Sequence, residues 1–538
     1  MGGRGTGDWA FADLAHFLIN QPLSFQASKT NTVVPRDVRS TIFGAYLQDN
    51  WRIRKAFTVD LGLRYEMATV PQEVNGRYVT LLNLTDAQAQ VGGQLFHNPT
   101  LRNFEPRIGF AWDPRADSKT VVHGAFGMFD VLPLPYVMAL VESQAGPFNQ
   151  VATAQTGLNG AFYAGGYSLL NPTTNSNSAF VEEHPHRNYV MTWNLNVQRQ
   201  VTDNLGVIIG YVGSRGLHQQ FKVDDSDMTL PTLTLAGYVF PYSKAPTMTL
   251  PTLNPNFGDI RSLWWNGSSS YNALQVGVTK RMSKGIQFQG SYTWSKSIDN
   301  SSSGAGSDSY ANALSSLHWY DQRLNKSVSD FNTPRVLALS TVWEIPTGQG
   351  SAKISQKILG GWQLGGILNA QDGQPFTVLV GGDPLGQNSS DPFAFPNRLT
   401  GPGCNSLANP GNINQYIKVQ CFSMPTAPTQ AFYNQYCNPA MAFPTCINLL
   451  GNARRNILAG PGLVNLDFSI YKNTRISEKL TTQFRAEFFN VVNRANFQSP
   501  LDSNTIFDQN GTLQDGVGVI DATANDSREI QFGLKFLW

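Results

Sequence analysis

Charge is scarce in this chain. Asp, Glu, Lys and Arg make up 14% of its 538 residues, against about 25% in an ordinary soluble domain, so an ordinary cytosolic surface is excluded. The net charge of +2 is too small for a nucleic-acid-binding footprint, and no nucleic-acid partner is expected. Long apolar runs are missing as well. None approaches the roughly 18 residues that a membrane-spanning helix needs. If the chain enters a membrane, it enters as strands. Its mean hydropathy of −0.23 is no obstacle, because a barrel strand turns every second residue to the lumen. Gly and Pro, at 49 and 30, are too few for low-complexity disorder. No G-x-S-x-G elbow and no H-E-x-x-H pair occurs, so neither an enzyme nor a cofactor is expected.

What is present is alternation. The last stretch, R-E-I-Q-F-G-L-K-F-L-W, puts Ile530, Phe532, Leu534, Phe536 and Trp538 on one face and Gln531, Gly533 and Lys535 on the other. That is the period-2 signature of a strand, and about ten such residues suit a tilted membrane crossing. The pattern recurs upstream. Strands are expected at Thr41 to Arg52, Phe57 to Glu66, Glu105 to Trp112, Lys119 to Phe129, Asn188 to Gln200 and Leu205 to Ser214. They continue at Tyr271 to Arg281, Gly285 to Ser295, Arg335 to Ile345, Trp362 to Val380, Val464 to Lys472 and Leu480 to Asn490. Short helices are expected over 8–20 and 316–330.

The count is about 13 strands, with short turns and long loops strictly alternating, as in bacterial outer-membrane barrels. The fold class is therefore all-β: a transmembrane antiparallel β-barrel with long extracellular loops. If the last strand runs inward, counting back makes the strand at Thr41 run inward too, so the number is odd, whereas single-chain bacterial barrels use even numbers. The parity suits strands 10 to 22 of a 22-stranded barrel. Residues 1–40 are then a short helical or irregular lead-in belonging to an upstream loop, and residues 41–538 the C-terminal part of the barrel. The N-terminus, M-G-G-R-G-T-G-D-W, is not a secretory signal, so the sequence is expected to start mid-protein.

Several stretches carry a resemblance. They include Y-L-Q-D-N-W-R from Tyr46, D-L-G-L-R-Y-E from Asp60, F-E-P-R-I-G-F-A-W-D-P from Phe104 and N-L-N-V-Q-R-Q from Asn194. Y-N-A-L-Q-V-G-V-T-K-R from Tyr271, S-Y-T-W-S-K-S from Ser291, G-W-Q-L-G-G-I from Gly361 and F-R-A-E-F-F-N-V-V-N-R-A-N-F from Phe484 belong to the same series. In order and spacing they resemble the barrel of Oar-like TonB-dependent receptors. The resemblance implies active uptake of an oligosaccharide, peptide or metal chelate across the outer membrane of a Gram-negative type bacterium. It also implies a plug and TonB box, which are not visible in this sequence. The partners are then outer-membrane lipid, the barrel-assembly machinery, an extracellular ligand, and the TonB complex through the missing plug. Phe536 and Trp538 are read as the C-terminal assembly signal. The alternative is a passive porin, or a structural or adhesive barrel.

Arg64, Glu66, Arg107, Arg281, Arg485, Glu487 and Lys535 alternate with apolar neighbours. They are candidates for the lumen, either lining a path or simply pairing with one another. Trp51, Tyr65, Trp112, Trp294, Trp343, Trp362, Tyr471 and Trp538 suit the interfacial girdles. Trp264, Trp265, Trp319 and Tyr320 fall in long loops, as candidates for stacking on a ligand. Cys404, Cys421, Cys437 and Cys446 lie in one loop and are expected to form two disulfides, pairing open, in an oxidising compartment. The one metal-like cluster of histidines is His184-Pro-His186 beside Glu182 and Glu183, which lacks a placed third ligand; no metal site is expected. Asp224, Asp225 and Asp227 lack the glycine and distal Glu of an EF-hand loop.

Overall fold

Thirteen strands form one up-and-down wall in which every strand pairs antiparallel with the next in sequence. They are β1 (Ile42–Arg54), β2 (Phe57–Ala68), β3 (Phe104–Trp112), β4 (Thr120–Asp130), β5 (Tyr189–Thr202), β6 (Leu205–Val223) and β7 (Ile260–Ser283). β8 (Ile286–Asp299), β9 (Arg335–Glu344), β10 (Trp362–Gln371), β11 (Leu463–Arg475), β12 (Thr481–Phe489) and β13 (Glu529–Leu537) complete it. Ser178–Val181 adds to β7 in parallel and Ser327–Val328 adds to β8, giving 15 strands in the sheet. The computed structural model describes residues 7–11, 14–28, 32, 36–142, 145–149, 151–154, 156–163, 165–170, 176–235, 237–240, 251–302, 314, 318–346, 358–389, 394–436, 449–478 and 480–538. Among them, β1 and β13 end the wall and are not bonded to one another.

The alternation in the sequence becomes two faces. Leu61 pairs with Ile108, Leu195 with Tyr211, Tyr211 with Leu274, and Leu274 with Trp294. Farther along, Leu339 pairs with Leu368 and Phe468 with Phe488. Paired residues share a face, so these make one apolar belt across the wall. Its members are exposed, Leu61, Ile108, Leu195, Leu274 and Phe532 among them. An apolar belt of this extent has a favourable home only against lipid. Trp51, Trp112, Trp343 and Trp362 stand on it at the short-turn end. Tyr471 does not. It pairs with Arg485 and so sits on the polar face, a correction to its expected place in the girdle.

Turn chemistry sets the short connections. Lys284 and Gly285 both have positive φ, 53° and 77°, as the two-residue turn between right-twisted strands requires. A Cβ on Gly285 would stand 2.5 Å from the Glu344 carbonyl oxygen.

β6 and β7 run far beyond the expected strands, at 19 and 24 residues. At about 3.3 Å per residue β7 is some 80 Å long, well over twice the roughly 30 Å hydrocarbon core. The extension was not visible as alternation because it is buried on both faces: Ile260, Ser262, Leu263 and Trp265 are all covered. It breaks register twice between Leu217 and Phe221, where His218 takes a φ of 54°. Other expectations contract. The tenth strand ends at Gln371 instead of Val380, and Leu379–Val380 pairs with Thr505–Phe507. Among the described residues of the two regions where longer helices are expected, the helices are Gln322–Asn325 and Leu14–Leu18. In the lead-in, Asp8–Ala10 and Ser24–Ser28 pair with each other, and Ser24–Ser28 also pairs with Val151–Ala154 of the β4–β5 loop.

All six long connections lie at one end of the wall and pack on one another. One core joins Tyr78, Leu95 and Phe96 of the β2–β3 loop, Met138 and Val141 of the β4–β5 loop, and Trp265 of β7. Another joins Phe376, Tyr416, Ile417 and Leu458 of the β10–β11 loop to Ile506 and Ile520 of the β12–β13 loop. Each such side chain contributes roughly 1.5–3 kcal/mol on burial. The loops therefore form a packed cap.

Candidate functional site: the cap and the polar face

The polar face carries a charge ladder. Arg64 pairs in register with Glu105, and Arg107 lies opposite Gly62. Arg64 makes an ion pair with Glu66, and Arg107 Nη2 donates to Glu105 at 2.9 Å. The Arg107 guanidinium also covers the Phe129 ring at 4.5 Å. At the cap end of the ladder Arg187 grips Asp130 with two bonds, 2.7 and 2.8 Å. On the far side of the wall, Arg485, Glu487 and Lys535 share the same face, opposite Gly533, Gln531 and Gln483 respectively. Glu487 accepts from the Tyr471 hydroxyl at 2.9 Å, and Arg485 lies over the Tyr471 ring at 5.6 Å. Arg281 stands apart, in a recess at the short-turn end with Gln198 and Thr279. Of the seven candidates, then, Arg64, Glu66 and Arg107 form one paired group and Arg485 and Glu487 gather around one tyrosine.

The aromatic candidates divide. Trp265 is a core residue, 1% exposed and 5.2 Å from the Phe96 ring, so it cannot meet a ligand. Both Trp264 and Trp265 belong to β7, not to a loop. Trp264 stacks on Trp319 at 5.3 Å and 13°, and both remain half-buried. Tyr320 leans on Tyr238 at 5.8 Å and its hydroxyl bonds His318 Nδ1 at 3.0 Å.

Cys404 and Cys421 form a disulfide with a Cα–Cα distance of 5.4 Å. Cys437 and Cys446 lie outside the described residues. The Asp224–Asp227 run is spent on the fold. Asp225 accepts from the Asp227 and Ile260 amides, and Asp227 from the Asn254 amide at 2.6 Å. Burial pushes the Asp227 carboxyl up to about 6. The histidine cluster is rearranged. His186 faces His218 at 4.9 Å, while His184 stacks on His97 at 4.3 Å and 5°, with Glu183 beside both.

Sequence reasoning missed the strongest polar centre in the cap. Arg455 is 2% exposed and spends every N–H it has. Nε donates to the Asn325 carbonyl at 3.2 Å, and Nη1 to Ser302 Oγ at 3.1 Å and Asp330 at 2.7 Å. Nη2 donates to both the carbonyl and the carboxylate of Asp299. One guanidinium thus ties the β10–β11 loop to β8 and the β8–β9 loop. Its neighbour Arg454 points outward. It and Asn452 are shared by two adjoining recesses of about 460 and 580 Å³. Tyr238, Leu450 and Arg323 line the first, and Arg398 and Ile457 the second. Arg323 is neutralised by a bidentate bond to Asp321 at 2.9 and 2.7 Å. Among the described residues, Arg398 and Arg454 have no carboxylate within ion-pair distance.

A family model described as an outer membrane beta barrel domain matches residues 2–531. No curated protein matches the chain in sequence. Among solved structures, the outer membrane transporter YddB of Escherichia coli is similar at 12% identity and a TM-score of 0.42, covering 95% of this chain and 54% of its own. The pyoverdine outer membrane receptor FpvA of Pseudomonas aeruginosa, bound to pyoverdine, gives 12% and 0.41 over 93% of this chain and 42% of its own. The siderophore receptor PirA of Acinetobacter baumannii gives 8% and 0.42 over 96% and 50%. The chain spans about half the length of these proteins, or less.

Proposed function

This chain belongs to the outer membrane beta barrel domain family, and from that footing we propose that it is the C-terminal part of an Oar-like TonB-dependent transporter. Its place is the outer membrane of a Gram-negative bacterium. The observation that supports the transport reading is an open wall joined to loops that pack on one another. β1 is exposed along all thirteen residues and lacks a partner on its outer edge, which is where upstream strands would join. The long loops pack on one another through shared hydrophobic cores, and such a packed surface suits a receptor that must present fixed groups to a ligand. The lumen charges would then meet a plug supplied by the rest of the protein, and TonB would act through that plug. Phe536 and Trp538 would serve the barrel-assembly machinery.

The ligand surface we assign to the two recesses that meet at Arg454. Arg454, which shares the first recess with Tyr238 and Leu450, and Arg398 in the second have no acidic partner among the described residues, which favours a ligand with carboxylate or phosphate groups on an apolar body. Citrate and inorganic phosphate are suitable probes. Each should raise the melting temperature of the full-length protein, and the Arg398→Ser, Arg454→Ser double variant should lose that rise. Equal shifts in both proteins would remove the recess from consideration.

The experiment for the transport reading is the mass of the native protein in outer-membrane fractions, detected with an antibody to the Cys404–Cys421 loop. A band near twice 59.1 kDa is expected. A band at 59.1 kDa itself would turn the reading to a passive or structural barrel.

A further inference from the structure

We propose that His97, Glu183 and His184 form a surface site for a divalent transition-metal ion of the zinc class, which clips the β2–β3 loop to the β4–β5 loop. The site stands independently of the transport reading.

The backbone already brings the three residues together. Val181 pairs with Leu263 of the β7 extension, so the chain reaches Glu182 in a fixed register. Glu182 turns inward and accepts the Trp265 amide at 2.7 Å. The next residue, Glu183, therefore turns outward. Its carbonyl accepts the His97 amide at 2.7 Å, which ties the two loops at the point where their side chains meet.

The side chains then converge. His97 Nε2 lies 3.8 Å from Glu183 Oε1, and His184 Nε2 lies 3.9 Å from Glu183 Oε2. All three donor atoms fall within 4.8 Å of one another. Two imidazoles and one carboxylate are a donor set for zinc with a fourth position left open. They also select against calcium and magnesium, which prefer oxygen ligands throughout. A tetrahedral ion with bonds of about 2.0–2.1 Å places its donors roughly 3.4 Å apart. The donors must therefore close by about 0.4 Å at the shorter separations and by up to about 1.4 Å at the longest. The His97 and His184 rings stack at 5°, so at least one must also rotate to aim its Nε2 lone pair at the ion, and side chains that are 66%, 44% and 71% exposed have the room to turn. The fourth position faces solvent and would hold water or a donor atom from an approaching molecule.

His186 and Glu182 take no part. His186 faces His218, whose Nδ1 is bonded to the Arg187 carbonyl at 2.9 Å, and Glu182 is committed to Trp265. This separates the residues that should matter from their immediate neighbours.

The test is calorimetric titration of the full-length protein, purified in detergent and stripped of metal, with zinc chloride. Saturation at one ion per chain is expected, with no heat from calcium chloride beyond dilution. His97→Ala, His184→Ala and Glu183→Gln should each weaken zinc binding at least about tenfold, the scale that even an outer-sphere change produces. His186→Ala should bind as wild type does. Glu183→Gln preserves the shape of the site, so it reports on the ligand even if a histidine variant misfolds. Zinc should also slow hydrogen exchange at the His97 amide in the wild type and in His186→Ala, and not in the Glu183→Gln and His184→Ala variants. Failure of the wild type to saturate, or undiminished binding by His97→Ala and Glu183→Gln, would overturn the site.

Discussion

At the scale of single residues, the cap depends on groups whose burial is complete. Arg455 holds Asp299 and Asp330 in a dry site. Removing one partner from such a group typically costs about 3–5 kcal/mol, because the remaining charges are left without compensation. Arg455→Met should therefore loosen the β8–β9 and β10–β11 loops, read as faster hydrogen exchange at the Asp330 and Asn456 amides. Adding Asp299→Asn and Asp330→Asn should recover most of the loss. A single variant with wild-type exchange would show that the cap does not need the guanidinium.

Glu142 gives a pH dependence. It is fully buried, and desolvation pushes its carboxyl up to about 8, against the Val79 amide bond and the charge of Arg36. The folded state then holds the proton more tightly than the unfolded chain, whose value is near 4.5. Linkage makes the local stability fall as pH rises from that value to about 8, and stay low above it. Glu142→Gln keeps an acceptor for the Val79 amide and removes the charge. It should abolish the dependence and slow exchange at Val79 at alkaline pH. A wild-type cap equally protected at pH 5 and pH 9, ends chosen about the expected window, would contradict this. Neither site was legible in the sequence. Arg455 and Asp299 are 156 residues apart, and nothing local to either position marks the pairing.

At the scale of elements, the wall was legible where one face meets an apolar surround and the other a polar one. There the side chains must alternate, and the register of the charged candidates follows from parity alone. Legibility ended where strands leave that setting. The β6 and β7 extensions are covered on both sides, so Trp264-Trp265 and the serines after them carry no period and resemble a loop. Turn positions were legible to within a residue, since the β7–β8 turn takes in Gly285, where the next strand is expected to begin, and β8 starts at Ile286. Gly285→Ala should cost about 1–2 kcal/mol for its backbone conformation, and more for the close Glu344 carbonyl. Urea unfolding of the full-length protein in detergent measures it. Lys284→Asn, which keeps the conformation accessible, should be nearly neutral.

The disulfide belongs to the same scale. It closes a separation of 17 residues, for which chain-entropy arguments give about 3 kcal/mol. Cys421 is fully covered within the β10–β11 core. Reduction, or a Cys404→Ser, Cys421→Ser double variant, should make the 404–421 segment susceptible to proteolysis while the wall strands keep their protection. A segment that resists protease equally in both states would mean that the core alone holds it.

At the scale of the whole molecule, the wall ends on β1 and β13, whose outer edges are unpaired among the described residues. Exposed strand edges recruit other strands. Expressed on their own, residues 1–538 should associate or aggregate, and should not yield discrete single-channel currents in planar bilayers. Steady, uniform currents from this chain alone would show that it closes by itself.

The length of β7 has a mechanical meaning. The strand that crosses the membrane also continues, past the register breaks opposite Leu217 to Phe221, into the segment that carries Trp264 and the loops packed on it. A rod of about 80 Å turned by one degree at its base moves its tip by roughly 1.4 Å, which is enough to make or break a hydrogen bond. The cap is therefore geared to the wall. A change of tilt in the wall is passed on to the loops packed on this strand, and contacts made on those loops bear on the same strand.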